Sequence, residues 1–371
     1  MISFEEPIIG IEEKKLLNEV LNKSSVAQGP YVERFEKIIS SYCNTKFASA
    51  CFNGTAALHL ALAALDIKQG DEVIVPSFTF IATANAVTYT GAKPVFTDIK
   101  KNTLCLDPNS LKKKITNKTK AIIPVHVFGN PCDMNSIKGL AKENDLSVIE
   151  DAAEAIGAVY RGKKVGSLSD IGCFSFYNNK IISTGEGGMC LTDNQELNGK
   201  LKLLRSQGKV KNEDLKGDDF IEKKYYHEML GFNYRMTDLQ AAIGISQMKK
   251  IDDNLKSRKR VAKIYENEFK KYDINIMKNE TSSNPVYWIY PIIFKNKKIK
   301  MQVGKELRKK EIPFLSFFWP CHKQPFYDSP ETLPITEEVS ERGLSIPCIP
   351  SISDEEAIDL TRIIGNVVKN A

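Results

Sequence analysis

The chain has 371 residues, 42% hydrophobic and 26% charged, enough apolar content for a large core and enough length for more than one domain. Its formal net charge of +6 is spread over scattered lysines, without the aromatic–basic interleaving of a nucleic-acid binder, and no apolar run approaches the ~20 residues that span a bilayer. The opening MISFEEPIIGIEEKK carries acids where a secretory signal is basic and then apolar, and the eight cysteines show no CxxC pairing, so a cytoplasmic protein with reduced thiols and no metal site is expected.

Ile11, Leu16, Leu17, Val20 and Leu21 recur at helical spacing and predict a first helix; a second follows Gly29-Pro30, with Val32, Phe35, Ile38 and Ile39 on one face. From there short apolar runs alternate with helices. FASACF (47–52) reads as a strand, Asn53-Gly54 as a turn and TAALHLALAAL (55–65) as a helix. EVIVP (72–76) is a strand, 80–92 a helix ending near Gly91, and KPVFTDI (93–99) a strand. A helix over 108–115, a strand over AIIPVHVFG (121–129), a helix over 134–143 and a strand in LSVIED (146–151) continue the series. IGCFSF (171–176) and GGMCLTD (187–193) are two further strands.

This order predicts an α/β domain over 1–236, its mixed but mainly parallel sheet flanked by helices. The polar stretch 208–219 reads as a mobile surface loop, and Leu239, Ala242, Ile243, Ile245 and Met248 predict a long connecting helix over 237–271. A smaller α+β domain is expected over 272–371, with a strand at 284–294 and helices at 303–311 and 353–369.

Four features at the ends of strands carry chemistry. Lys180 lies in CFSFYNNKIISTGEGGM, where an apolar strand enters a polar turn and a Gly-rich loop. Ser175, Thr184, Gly185, Gly187 and Gly188 around it permit close backbone approach, and a lysine in a closed site loses its proton readily and condenses with a carbonyl. Asp151 ends SVIED, where ligands of open α/β sheets gather; a carboxylate there suits a pyridinium nitrogen. Asn53-Gly54-Thr55-Ala56 opens a helix, whose free N–H groups and dipole suit a phosphate. Phe80, behind EVIVP, offers a stacking face. Each alone has a bland reading: a solvated lysine, a helix-capping aspartate, an ordinary turn, a core phenylalanine. Together they supply what a pyridoxal-phosphate site requires. A nicotinamide dehydrogenase is disfavoured, because no GxGxxG follows an early strand.

The segments NGTAALHLAL, GDEVIVPSFTFIATANAV, VHVFGNPCDM, VIEDAAEAIGA, FSFYNNKIISTGEGGM, GFNYRMTDLQAAIG and LSIPCIPSISDEE resemble, in order, those of the DegT/DnrJ/EryC1/StrS sugar aminotransferases. The resemblance implies a fold-type I aminotransferase using pyridoxal 5'-phosphate, with Lys180 as the cofactor-bearing lysine and Asp151 as the ring-nitrogen partner. It also implies phosphate contacts from Gly54, Thr55 and Ser175, stacking by Phe80, and Glu154 near the ring hydroxyl. Asn233 matches a residue reaching the phosphate of a neighbouring subunit, which implies a homodimer with shared sites. Trp319 and His322 are candidates for sugar or nucleotide contact, with a structural role equally open.

Within the family the likeness is narrowest to enzymes that aminate C4 of GDP-4-keto-6-deoxymannose with L-glutamate as donor. It rests on YYHEMLGFNYRMTD, FFWPCHKQPFY and SERGLSIPCIPS. UDP-linked 4-keto-6-deoxy sugars, aminated at C4 or C3, are the alternative substrate. A cofactor-binding regulator without turnover is the alternative of another class. Asn178 replaces a glycine common in relatives. Lysine at position 180, where a dehydrating branch carries histidine, points to transamination.

Overall fold

The computed structural model describes residues 9–23, 26–210, 225–327 and 329–371. Most of the 208–219 stretch lies outside these residues.

Helices α1 (Ile11–Asn22) and α2 (Pro30–Cys43) precede the large sheet. Then β1 (Phe47–Cys51), α3 (Gly54–Ala64), β2 (Glu72–Pro76), α4 (Ala82–Tyr89), β3 (Lys93–Thr97), α5 (Pro108–Lys114), β4 (Thr119–Ile122), α6 (Met134–Glu143) and β5 (Ser147–Asp151) alternate as expected. A hairpin of β6 (Val159–Tyr160) and β7 (Lys163–Lys164) leads to β8 (Ile171–Ser175), β9 (Gly188–Thr192) and α7 (Gln195–Arg205). Short polar residues start several of these helices by taking an orphan backbone N–H: Asn53 from Ala56, Asp107 from Asn109, Asp133 from Ser136 and Asn194 from Glu196.

The sheet has the order β1-β9-β8-β5-β4-β2-β3. β3, β2, β4, β5 and β8 pair in parallel, and β9 runs against its neighbours β8 and β1. Val73, Ile74 and Val75 are fully buried, as an unbroken apolar run in a strand covered on both faces requires. The carboxyl ends of β1, β2, β5 and β8 therefore open on one edge, and the loops that follow them meet there.

The helix expected over 237–271 is two helices, α8 (Asp238–Met248) and α9 (Ile251–Phe269). A tight turn at Lys249 and Lys250 separates them. Lys250 there bonds Glu13 of α1 at 2.7 Å, and Asp252 and Asp253 favour a new helix start. α9 contributes Ile251 and Leu255 to the core of the large sheet, and Val261, Tyr265 and Phe269 to a second core.

That second core covers an antiparallel sheet formed by β10 (Asn275–Ile276), β12 (Tyr290–Ile293), β13 (Leu315–Ser316) and β14 (Gly343–Ile346), in the order β10-β12-β14-β13. The strand expected over 284–294 is interrupted. β11 (Ser283–Asn284) pairs with β6, and Tyr287 takes the left-handed conformation (φ 53°) before β12 begins. Likewise the run 121–129 leaves the sheet after Ile122, and Phe128 is left-handed (φ 56°). α10 (Lys297–Lys309) starts six residues before the expected 303, because Asn296 caps it. α11 (Pro334–Arg342) was not expected, whereas α12 (Asp354–Lys369) matches its expectation and begins at a Ser353–Glu356 capping box. Among the described residues no helix is long and apolar enough to cross a membrane.

Candidate active site

A cavity of about 330 Å³ lies at the edge where those loops meet. Its lining includes Gly54, Thr55, Phe80, Asp151, Glu154, Ser175 and Lys180. Seven of the eight residues expected to hold a cofactor thus come together.

Lys180 follows β8 in a turn closed by its own N–H, which donates to the Tyr177 carbonyl at 2.9 Å. Its Nζ lies 3.8 Å from Glu154 Oε1 and 3.7 Å from the centre of the Trp288 ring. Burial lowers the Lys180 pKa, and the Glu154 and Asp151 charges oppose that shift. The neutral, nucleophilic amine is therefore easier to reach than at the surface.

Asp151 closes β5 and is buried. Thr83 of α4 donates to its Oδ2 at 2.7 Å and the Ala153 N–H to its Oδ1 at 3.2 Å. Desolvation still outweighs these bonds and pushes its pKa up. Glu154 is pushed up to about 7 by burial, against the nearby Lys180 charge and the 2.7 Å bond that Phe128 N–H donates to its Oε2.

At the opposite wall, Asn53 caps α3 and places Gly54 and Thr55 at its first turn. A Cβ on Gly54 would stand 2.7 Å from the Ser175 Cβ, so glycine lets β8 and the helix start approach. Phe80 is 61% exposed at the mouth of the cavity.

Three expected residues are elsewhere. Asn233 is exposed and does not line this chain's cavity; its neighbours Phe232 and Tyr234 bond back to Leu204 and Arg205. Trp319 is 69% exposed beside the lining residue Phe318. His322 is fully buried: Nδ1 lies 2.6 Å from Ser77 Oγ and Nε2 3.0 Å from Glu337 Oε1. Both ring nitrogens are engaged inside the protein, and His322 does not line the cavity. Thr83, Glu186 and Trp288 also line the cavity, although no local motif marks them as site residues. Trp288 lies 108 positions from Lys180, and no local pattern links them.

The DegT/DnrJ/EryC1/StrS aminotransferase family model matches residues 7–367. The chain is 41% identical to the GDP-perosamine synthase of Caulobacter vibrioides, over 98% of this chain and 96% of that protein. It is 38% identical to the GDP-perosamine synthase of Escherichia coli O157:H7, over 97% and 96% of the two chains. The solved structure of DesV from S. venezuelae, in complex with a ketimine intermediate, superposes with a TM-score of 0.91 at 32% identity, covering 97% of this chain and 95% of DesV.

Enzymes of this family depend on pyridoxal phosphate, and the residues present fit it. Asp151 is a buried acid short of a counter-charge, which a protonated ring nitrogen would supply. Gly54 keeps the α3 amides open beside Ser175, where a phosphate can sit. Lys180 brings an amine into the same cavity. By its match across nearly the whole chain, its fold-type I architecture and this fit, the chain belongs to the pyridoxal-phosphate-dependent DegT/DnrJ/EryC1/StrS aminotransferase family.

Proposed function

We propose that this aminotransferase moves the amino group of L-glutamate to C4 of GDP-4-keto-6-deoxymannose, giving GDP-perosamine, with Lys180 as its catalytic residue. The convergence of Lys180 and Asp151 on one cavity carries the chemical part of this reading. The substrate part is supported by three relatives named GDP-perosamine synthase, 36–41% identical over nearly their full length.

When bound, pyridoxal phosphate supplies a carbonyl for condensation with amines and a ring that accepts the electrons released at the reacting carbon. The chain's own groups do the rest. Lys180 Nζ takes a proton from the donor's α-carbon in the first half-reaction and delivers a proton to the sugar carbon in the second, acting as base at one and acid at the other. Its lowered pKa suits the first task. Asp151 would hold the ring nitrogen in its protonated form, and Thr83 and the Ala153 N–H orient that carboxylate. Gly54, Thr55 and Ser175 would hold the phosphate, Phe80 would cover the ring, and Glu154 would meet the ring hydroxyl.

The enzyme acts as a homodimer in this reading, with Asn233 serving the phosphate of the partner's site. The exposure of Asn233 outside its own cavity agrees with that arrangement. Assay of a panel of GDP- and UDP-linked 4-keto-6-deoxy sugars with L-glutamate, read by product mass, tests the substrate. Preferred turnover of a UDP sugar would replace the GDP reading.

A further inference from the structure

The carbonyls on both sides of Lys180 are tied to elements outside its own loop. The indole N–H of Trp288 donates to the Asn179 carbonyl at 2.7 Å, and Asn254 Nδ2 of α9 donates to the Ile181 carbonyl at 2.8 Å. Arg258, one turn further along α9, joins the two. Its Nε donates to Asn254 Oδ1 at 2.7 Å, and its Nη1 donates to the carbonyls of Trp288 and Cys348, each at 2.8 Å. The same segment reaches the lysine's other neighbour: Trp288 N–H donates to the Phe128 carbonyl at 3.1 Å, and Phe128 N–H holds Glu154.

Arg258 is 4% exposed, and these partners are carbonyls and an amide. Desolvating a guanidinium costs several kcal/mol, so such a group contributes little net stability. What it fixes is geometry. The ring it orients lies 3.7 Å from the Lys180 amine, within range for a cation–π contact.

We propose that Arg258, Asn254 and Trp288 form a clamp that positions Lys180, fixing the backbone on both sides of the lysine and holding the free amine over the indole ring whenever it is not bonded to a reaction partner. All three are positioning residues. The proposal deepens the reading of Lys180 as the reacting amine and extends the site to α9 and the segment entering β12. The charged and titratable groups lining the cavity around the amine are Asp151 at the end of β5, Glu154 after it, Glu186 before β9 and Tyr177 in its own loop, with Arg258 behind Trp288.

The chain has two tryptophans, so Trp319→Phe leaves Trp288 as the single indole reporter. In cofactor-free protein with that change, the emission of Trp288 titrates as Lys180 loses its proton. Lys180→Met abolishes this titration while leaving the other ionisable groups in place. Adding Asn254→Ala shifts its midpoint by about half a pH unit or more. In the holoenzyme with Trp319 retained, Asn254→Ala and Trp288→Phe each lower kcat about tenfold, with the KM for glutamate held within about twofold. Emission that ignores Lys180→Met overturns the clamp. So does an unchanged midpoint or an unchanged kcat in Asn254→Ala. The emission readout needs neither substrate nor cofactor, so its failure is distinct from failure of the sugar assignment.

Discussion

Glu154 Oε1 lies 3.8 Å from Lys180 Nζ in a largely buried pocket, and burial acts on the two groups in opposite directions. The carboxyl gains affinity for a proton and the amine loses it.

For Glu154 the folded pKa is raised from 4.5 to about 7. A raised value means that the folded state prefers the protonated acid. The contribution is fully present below pH 4.5 and is lost as pH rises towards 7. Glutamine imitates the protonated acid and escapes that loss. In cofactor-free protein, Glu154→Gln should therefore gain stability over the parent as pH rises from 4.5 to 7, levelling at about 1–3 kcal/mol. Urea denaturation at a series of pH values checks this, and a constant difference across the series would refute it.

If Lys180 carries the proton, as proposed, Lys180→Ala removes that carrier. Transamination should fall by about 10³-fold or more while the melting curve stays close to the parent's. Single-turnover assays with glutamate read the loss. Full activity in the variant would end the assignment of Lys180.

Gly54→Ala places a methyl 2.7 Å from the Ser175 Cβ, a contact that backbone or strand must yield to relieve. The expected cost is about 1–3 kcal/mol of stability, with faster loss of pyridoxal phosphate on dialysis. A variant that melts with the parent and retains cofactor equally would show that the α3–β8 approach has slack.

If Asn233 serves the partner's phosphate, two defective proteins can repair each other. Lys180→Ala and Asn233→Ala subunits, unfolded and refolded together, should form hybrids with one site intact in both residues. An equal mixture should recover about a quarter of parental activity. Activity no greater than the sum of the separate variants would argue for sites built from one chain.

His322→Asn removes the imidazole that bridges Ser77 and Glu337. Thermal denaturation should show a loss of about 1–3 kcal/mol, with little change in the KM for the sugar nucleotide. A large rise in KM with unchanged stability would return His322 to the substrate site.

What the sequence made legible follows the range of the interactions. Asp151 and Lys180 each end or follow an apolar strand, so their placement at one sheet edge could be read from strand order alone. The α3 turn announced itself through Asn53-Gly54. The break between α8 and α9 was hidden, since its apolar spacing continues past Lys249 while the turn is held by a distant contact to Glu13. His322 looked the same in sequence whether it faced ligand or core; only its bonds to Ser77 and Glu337 decide. The clamp on Lys180 joins Trp288, Asn254 and Arg258 to a loop many residues away, and no periodicity or motif records such a meeting.

The eight cysteines are all free and all buried. A maleimide added to the native enzyme therefore finds no ready target, and each label incorporated marks a molecule that has opened. Because Cys51, Cys173 and Cys190 belong to the large sheet while Cys348 packs in the core around α9 and β14, mapping which thiols react first would show whether the two halves come apart together or in sequence.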